Sequence, residues 1–342
     1  MKKFAKFLSV AALSMSLFAG QSVSAQETTD IIVYSPHGIE LLTEIKNKFE
    51  AENEGINVII QDIGGAEALQ RIIAEAQNPQ ANILYGGPTS YFYNLKNQDL
   101  LVPYEVAWAE NVDASYIGED NAFAVPMVSP TTFGINTESG VEMPTSWLEL
   151  ADEKYNDSII TASAGSAATS TSLAVIASKF DAEGTLDTEG KAWFEAFNEN
   201  VIERPAGDIQ KDKIMNNTDG AAVSLFVIPT WENYIAEGGP LEYSLTPEEG
   251  IIEIQDAAAI IAGTEQDEAK LAASQAFMDF IGSYDTQLFL ADTFNRVPTD
   301  PQARQDTSKE WMSQEYEVFP VDWIELTDNY DEYMDKIYNE WF

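Results

Sequence analysis

The chain holds one histidine and no cysteine, so any step that needs imidazole must use His37, and thiolate chemistry and disulfides are excluded. His37 lies in Ser35-Pro36-His37-Gly38, after the apolar run Ile31-Ile32-Val33-Tyr34 and before the helical pattern Leu41, Leu42, Ile45, Phe49. This reads as a strand, a tight turn and a helix start. A helix start leaves N–H groups unpaired and carries partial positive charge, so Ser35, His37 and Gly38 can receive an anion or a polar ligand head. His37 can equally cap its own helix or face solvent. A Ser-His-Asp hydrolase would have to recruit this same histidine. The chain has no Gly-x-Ser-x-Gly elbow, no Walker A sequence and no histidine-based zinc motif. No catalytic residues, cofactor or metal are expected; the polar turns point to binding.

Further positions share that character. Gly64-Gly65 and Gly86-Gly87-Pro88-Thr89-Ser90 can let backbone approach a ligand, with Gly87 and Thr89 foremost, or can be plain turn glycines. The stretch Ser163 to Ser172 offers hydroxyls and N–H groups at a helix start, with Ser166 and Thr169 foremost. Thr230, Trp231 and Glu232 follow a buried run, where the indole can wall a cleft and the carboxylate can meet a cation. Arg296 is one of four arginines and suits bidentate binding of carboxylate or phosphate, or an ion pair with one of 57 acids. The tail aromatics Trp311, Trp323, Tyr330, Tyr333, Tyr338 and Trp341 read as helix packing.

The elements that position these turns alternate: strand to Tyr34, helix to Glu52, strand Asn57 to Gln61, helix Ala66 to Gln77, strand Ile83 to Tyr85, helix Thr89 to Asn97. That is the βαβαβα pattern of an open parallel sheet, whose ligands sit beyond the strand carboxyl ends. A second unit follows Phe123 to Val128, with strands at Ile159 to Thr161 and Ala221 to Val227. The segments Asp256 to Ala262 and Glu268 to Ile281 then return to the style of the first. The tail from Ser308 reads as helical.

Residues 1–25 read as a cleavable secretory signal, with Lys2, Lys3 and Lys6, an apolar stretch from Phe7 to Ala19, and small residues before Gln26. No cysteine follows it to accept a lipid, so the expectation is an unlipidated periplasmic protein. Without those three lysines, 15 basic residues face 57 acidic ones, a formal charge of −42. Nucleic acid and anionic membranes are poor partners for such a chain. A saline habitat, where the Debye length falls to roughly 3 to 8 Å, would suit it.

The ordered landmarks Val33-Tyr34-Ser35-Pro36-His37-Gly38, Asn78 to Pro88, Phe133-Gly134-Ile135-Asn136-Thr137, Pro144-Thr145-Ser146-Trp147, Val297-Pro298 and Phe319-Pro320-Val321-Asp322-Trp323 carry a resemblance. The chain resembles the type II periplasmic solute-binding proteins of ABC importers, in the iron(III)- or polyamine-type group. The resemblance implies an α/β, two-lobed clamp, each lobe a mostly parallel sheet flanked by helices, with the ligand in the interlobe cleft and no chemistry performed on it. It further implies a monomer that docks on a membrane permease. Its lobes would comprise 26–128 plus 254–295, and 129–253 plus 296–342 with the C-terminal helices. Its loops would place Ser35, His37, Gly64, Gly65, Gly87, Thr89, Ser166, Thr169, Thr230 and Trp231 at the site. Ferric members of the group use adjacent tyrosines, and this chain has no Tyr-Tyr pair. It also has Thr161-Ala162 where relatives often place Arg or Asp before the Ser/Gly turn. An anionic solute (organophosphate, phosphonate, carboxylate or a metal chelate) is the first expectation. A polyamine held by Glu232 or Asp256 against Trp231 is the second; a ferric ion or a secreted enzyme on the same fold stands behind both.

Overall fold

The alternation of apolar strands and amphipathic helices builds an α/β protein, and a computed structural model describes residues 28–342. The expected signal, 1–25, lies outside the described residues. The first strands and helices are β1 (Thr29–Ser35), α1 (Ile39–Glu52), β2 (Ile56–Asp62), α2 (Gly65–Ala74), β3 (Ile83–Pro88), α3 (Thr89–Asn97) and the short β4 (Leu101–Val102). Strand β1 pairs in parallel with β2 and β3, as expected of the pattern. Helix α1 forms because Leu41, Leu42, Ile45 and Phe49 make one apolar stripe; all four are buried. Phe49 meets Phe277 and Phe280 edge-on at 5.1 and 5.4 Å.

Next come β5 (Ala124–Asn136), β6 (Ile159–Ile160), α4 (Ala167–Ala182), α5 (Lys191–Asn200), β7 (Val201–Glu203), α6 (Gly207–Asn216), β8 (Val223–Val227), α7 (Ile228–Ala236) and β9 (Leu241–Tyr243). The chain closes with β10 (Ile252–Ile261), α8 (Glu268–Ile281), α9 (Tyr284–Phe294), β11 (Val297–Pro298), α10 (Pro301–Asp306), α11 (Trp323–Asp335) and a last wide turn, Lys336–Trp341. The sheet order is β2-β1-β3-β10-β5-β8-β6-β7. Parallel trios stand at both ends, β2-β1-β3 and β8-β6-β7. The long antiparallel pair β5 and β10 runs between them and joins the two lobes.

Each trio has its own core. Ile31, Val33, Ile83 and Tyr85 pack with α1 and α8, whereas Phe133, Trp147, Leu173, Phe194 and Phe197 pack with Leu326, Tyr333 and Trp341 of the tail. Val297 and Met312 join the first lobe's core, and Phe319 joins the second's. The tail is less helical than expected: Phe319 pairs its N–H with Ile251 O at 2.8 Å, and Pro320 keeps the chain extended until Asp322 caps α11. Helix α11 packs on α4 of its own lobe and on α3 of the other. At the far side Asn295 Nδ2 donates to Asn233 Oδ1 at 2.9 Å, so the lobes touch at two places.

Candidate functional site

Several groups of the polar turns are already engaged by the protein itself. Ser35 is fully buried and its Oγ accepts from His37 N–H at 3.3 Å. Gly38 caps α1 at φ 85, Gly64 caps α2, and Gly65 opens α2. The glycine pair near the end of β3, Gly86-Gly87, makes room for side chains. A Cβ on Gly86 would stand 2.5 Å from His37 Nε2, and one on Gly87 3.1 Å from Tyr91 Cδ2. The Gly87 N–H donates to Asp256 Oδ1 at 2.5 Å, so it is not free to cradle an anion. These two positive-φ glycines seat His37 and Tyr91.

His37 is buried, its side chain 4% exposed, with Nε2 3.8 Å from Asp256 Oδ2 and no hydrogen bond. Its ring meets Tyr85 edge-on at 4.7 Å. Burial pushes its pKa down to about 4, against a smaller upward pull from Asp256, with Arg296 adding to the fall. It is therefore neutral near pH 7. Arg296 is half-buried beside this group, its Nε buried and unbonded, and it lines a shallow pocket with His37, Gly38, Ile39 and Phe294. Thr89 is fully buried at the first position of α3 with its hydroxyl unbonded.

Across the gap, Ser166 caps α4 and accepts from Thr169 N–H at 3.4 Å, and Thr169 is buried behind it. Beside that helix start lies Arg204, which the sequence pattern did not single out. It follows β7, and Ser163 N–H donates to Pro205 O at 3.2 Å, which ties the two loops together. Nε and Nη2 of Arg204 are buried without a hydrogen bond, and its guanidinium stacks 4.1 Å over the Phe342 ring. Desolvation lowers its pKa and Tyr338 pulls the other way, with no carboxylate among the described residues adding to that pull. The Tyr338 hydroxyl is buried and unbonded in regular geometry, close to Ser170, whose own proton goes to Ala164 O at 2.8 Å. Thr161, fully buried, has an unbonded hydroxyl as well.

The arginines divide cleanly among the described residues. Arg71 pairs with Glu75 at 2.8 Å and Arg304 with Glu253 at 3.6 Å, while Arg204 and Arg296 take no carboxylate within ion-pair distance. The ion pair considered for Arg296 is thus absent among these residues.

Trp231 is a correction. It is fully buried between Phe226 and Gly134, with its indole N–H on Thr132 O at 3.3 Å, so it packs the core of the second lobe and walls no cleft. Its neighbour Thr230 is half-buried in the first turn of α7. Glu232 accepts from the Tyr243 hydroxyl at 2.6 Å, and Asp256 from Gly87, so each carboxylate of the expected amine site already has one partner. Tyr91, Tyr330 and Tyr338 lie within electrostatic reach along the α3–α11 contact, an arrangement that no Tyr-Tyr spacing foretold. Burial pushes Tyr330 up to about 12 and raises the other two.

Two cavities, of about 670 and 590 Å³, open elsewhere. Their cations, Lys179 and Arg304, are paired with Glu183 and Glu253, so neither cavity offers an unpaired cation to an anion. Among the described residues no helix is long and apolar enough to cross a membrane, and no three His, Asp or Glu side chains converge to hold a metal.

Comparison with known proteins agrees with the fold. A probable ABC transporter periplasmic-binding protein, y4fP of Sinorhizobium fredii, is 27% identical over 322 residues, covering 90% of this chain and 85% of that protein. AfuA of Actinobacillus pleuropneumoniae, solved with exogenous fructose-6-phosphate bound, superposes with a TM-score of 0.74 at 19% identity, over 92% of this chain and 98% of that one. The apo ferric ion-binding protein A of Pasteurella haemolytica superposes with a TM-score of 0.76 at 15% identity, over the same shares. The model of the bacterial extracellular solute-binding protein family matches residues 78–324, and this chain belongs to that family.

Proposed function

We propose that this protein is the solute-capturing receptor of an ABC importer, exported to the periplasm, which holds a small polar anion between its lobes and hands it to a membrane permease. One observation carries the sign of the charge: Arg204 and Arg296 sit with buried, unbonded nitrogens in a chain of 57 acids. A cation that could pair with its own protein and does not is costly to bury unless a ligand supplies the anion. Among the structural neighbours, AfuA was solved with a sugar phosphate and others are ferric-binding proteins, so the choice between those readings rests on the unpaired arginines.

The candidate contacts are Ser35, His37, Gly38, Thr89 and Arg296 from the first lobe, and Thr161, Ser166, Thr169, Arg204 and Tyr338 from the second. Gly64, Gly65 and Gly87 shape the turns around them. We assign 26–128 plus 254–295 to the first lobe and 129–253 plus the C-terminal helices to the second, and attach the stretch 296–312 to the first because Val297 and Met312 pack there. The protein acts as a monomer and performs no reaction on its cargo.

A thermal-shift panel of phosphorylated alcohols, phosphonates, carboxylates, spermidine and ferric citrate tests the reading, because a tight ligand raises the midpoint by mass action. Stabilisation by anions supports it. Stabilisation by spermidine alone, or a coloured complex with ferric ion, overturns it.

A further inference from the structure

We infer that the second lobe carries a seat for a terminal phosphoryl or phosphonyl group, formed by Arg204, Thr161, Tyr338 and the amino end of α4. The inference rests on the anionic reading above and narrows it to one chemistry and one lobe. Four unmet donors point to it: Nε and Nη2 of Arg204 and the hydroxyls of Thr161 and Tyr338. Thr161 is fully buried, so its hydroxyl has no recourse to bulk water. The connections of the chain bring these groups together. Thr161 N–H donates to Glu203 O at 3.4 Å, which sets the end of β6 beside Arg204, and Tyr338 neighbours both Arg204 and Ser170 in the first turn of α4. The Ala167 and Ala168 N–H groups at that helix start have no carbonyl one turn back to bond.

The seat is also free of competing charge among the described residues. Glu203, the acid next to Arg204, pairs with Lys213 on the surface. Phe342 covers one guanidinium face at 4.1 Å, which leaves the edge bearing Nε and Nη2 to meet a ligand.

Counting donors selects the ligand class. A carboxylate is planar, with two oxygens whose lone pairs lie in one plane, so once it is bidentate on a guanidinium edge it has only its remaining in-plane lone pairs to offer. It would meet groups placed around it in three directions less completely than a phosphoryl group does. A terminal phosphoryl group has three oxygens in three directions and a charge of about −1.5 to −2, which uses the arginine, the hydroxyls and the helix end together. Arg296 has a more mixed setting. Asp256 and Asp62 act on the adjacent His37, and Glu40 lines the shallow pocket, so that side offers a weaker seat for an anion than Arg204 does.

Calorimetry with methylphosphonate, inorganic phosphate and acetate, on wild type and on R204K, R204Q, T161V, Y338F and R296Q, tests the assignment. Wild type should bind methylphosphonate at least about 10-fold more tightly than acetate. R204Q should weaken methylphosphonate about 30-fold or more, R204K less because the charge remains, and T161V and Y338F about 3- to 10-fold each. R296Q, at the other unpaired arginine, should weaken methylphosphonate by less than R204Q does. Urea midpoints equal to wild type in R204K and T161V show that the fold is intact. Equal affinity for acetate, no binding of either phosphorus probe, or R204Q indistinguishable from wild type overturns the seat. If anions bind but ignore Arg204, the general anionic reading survives and the seat alone fails.

Discussion

Replacing Arg204 by methionine should make the empty protein more stable while removing its response to anions. The sign follows from the environment: two guanidinium nitrogens are buried without partners and no carboxylate offsets their desolvation. Exchanging a poorly compensated buried charge for an apolar group of similar length gains about 1–4 kcal/mol. The lost stack on Phe342, at 4.1 Å, returns about 0.5–2 kcal/mol of that. At the middle of these ranges a net gain of about 1 kcal/mol remains, and for a chain of 342 residues with an unfolding entropy of about 2.1 cal/mol/K per residue the midpoint should rise about 1–2 °C. The assay is scanning calorimetry on protein unfolded in denaturant, dialysed and refolded, so that bound solute is removed, with and without 5 mM inorganic phosphate as added probe. Phosphate should raise the wild-type midpoint and leave R204M unmoved. A drop of 2 °C or more in the ligand-free R204M protein would refute the reasoning, since it would mean that Arg204 already has a stabilising partner.

Other outcomes follow from particular contacts. His37 is held near 4 in the folded protein against about 6.5 unfolded, so between those values the unfolded state binds more protons and stability falls as pH drops. Urea midpoints from pH 7 to 4 should show wild type losing about 3 kcal/mol more than H37N, and parallel curves would contradict it. G86A should cost about 2–5 kcal/mol, because its Cβ would stand 2.5 Å from His37 Nε2 at φ 111; an unchanged midpoint would contradict that packing. W231A should lower stability by about 3–5 kcal/mol yet leave the affinity of the folded protein for its solute within about 2-fold; a selective loss of affinity would return Trp231 to the site. Raising NaCl from 0.05 to 1 M should raise the midpoint, as screening relieves self-repulsion in a chain of formal charge −39; a falling midpoint would show that its ion pairs outweigh that repulsion.

The parts of the fold legible in the sequence are those with a strong local period. The strand, turn and helix from Ile31 to Glu52 appear as read, because the stripe Leu41, Leu42, Ile45, Phe49 permits only one buried face. Helix α2 ends three residues earlier than its polar tail suggested, at Ala74. The full length of β5 was hidden by Pro126 and Pro130, which ordinarily mark a strand's edge or end, yet here the strand runs through both to Asn136. Trp231 misled because burial behind β5 is a tertiary fact: a tryptophan after an apolar strand looks the same whether it faces core or cleft.

Arg204 was missed for a different reason. Its role depends on β6 and β7 pairing, Ile160 opposite Glu203, which joins loops more than forty residues apart, and no local pattern encodes that meeting. The usable signal was scarcity. With four arginines against 57 acids, an arginine left unpaired is worth finding, but only coordinates show which two are unpaired. Tyr338 was grouped with the packing aromatics for the same reason, since its ring does pack on Phe342 while its hydroxyl remains unmet.

The most direct test is a crystal structure of the protein soaked with a phosphonate or phosphate ester that raises its melting midpoint. The prediction is one anion between the lobes, its phosphoryl oxygens at about 3 Å from Arg204 Nε and Nη2 and within reach of the Thr161 and Tyr338 hydroxyls. An anion bound instead in the 670 Å³ groove beside Lys179, or an Arg204 paired to a carboxylate of the protein itself, would contradict it.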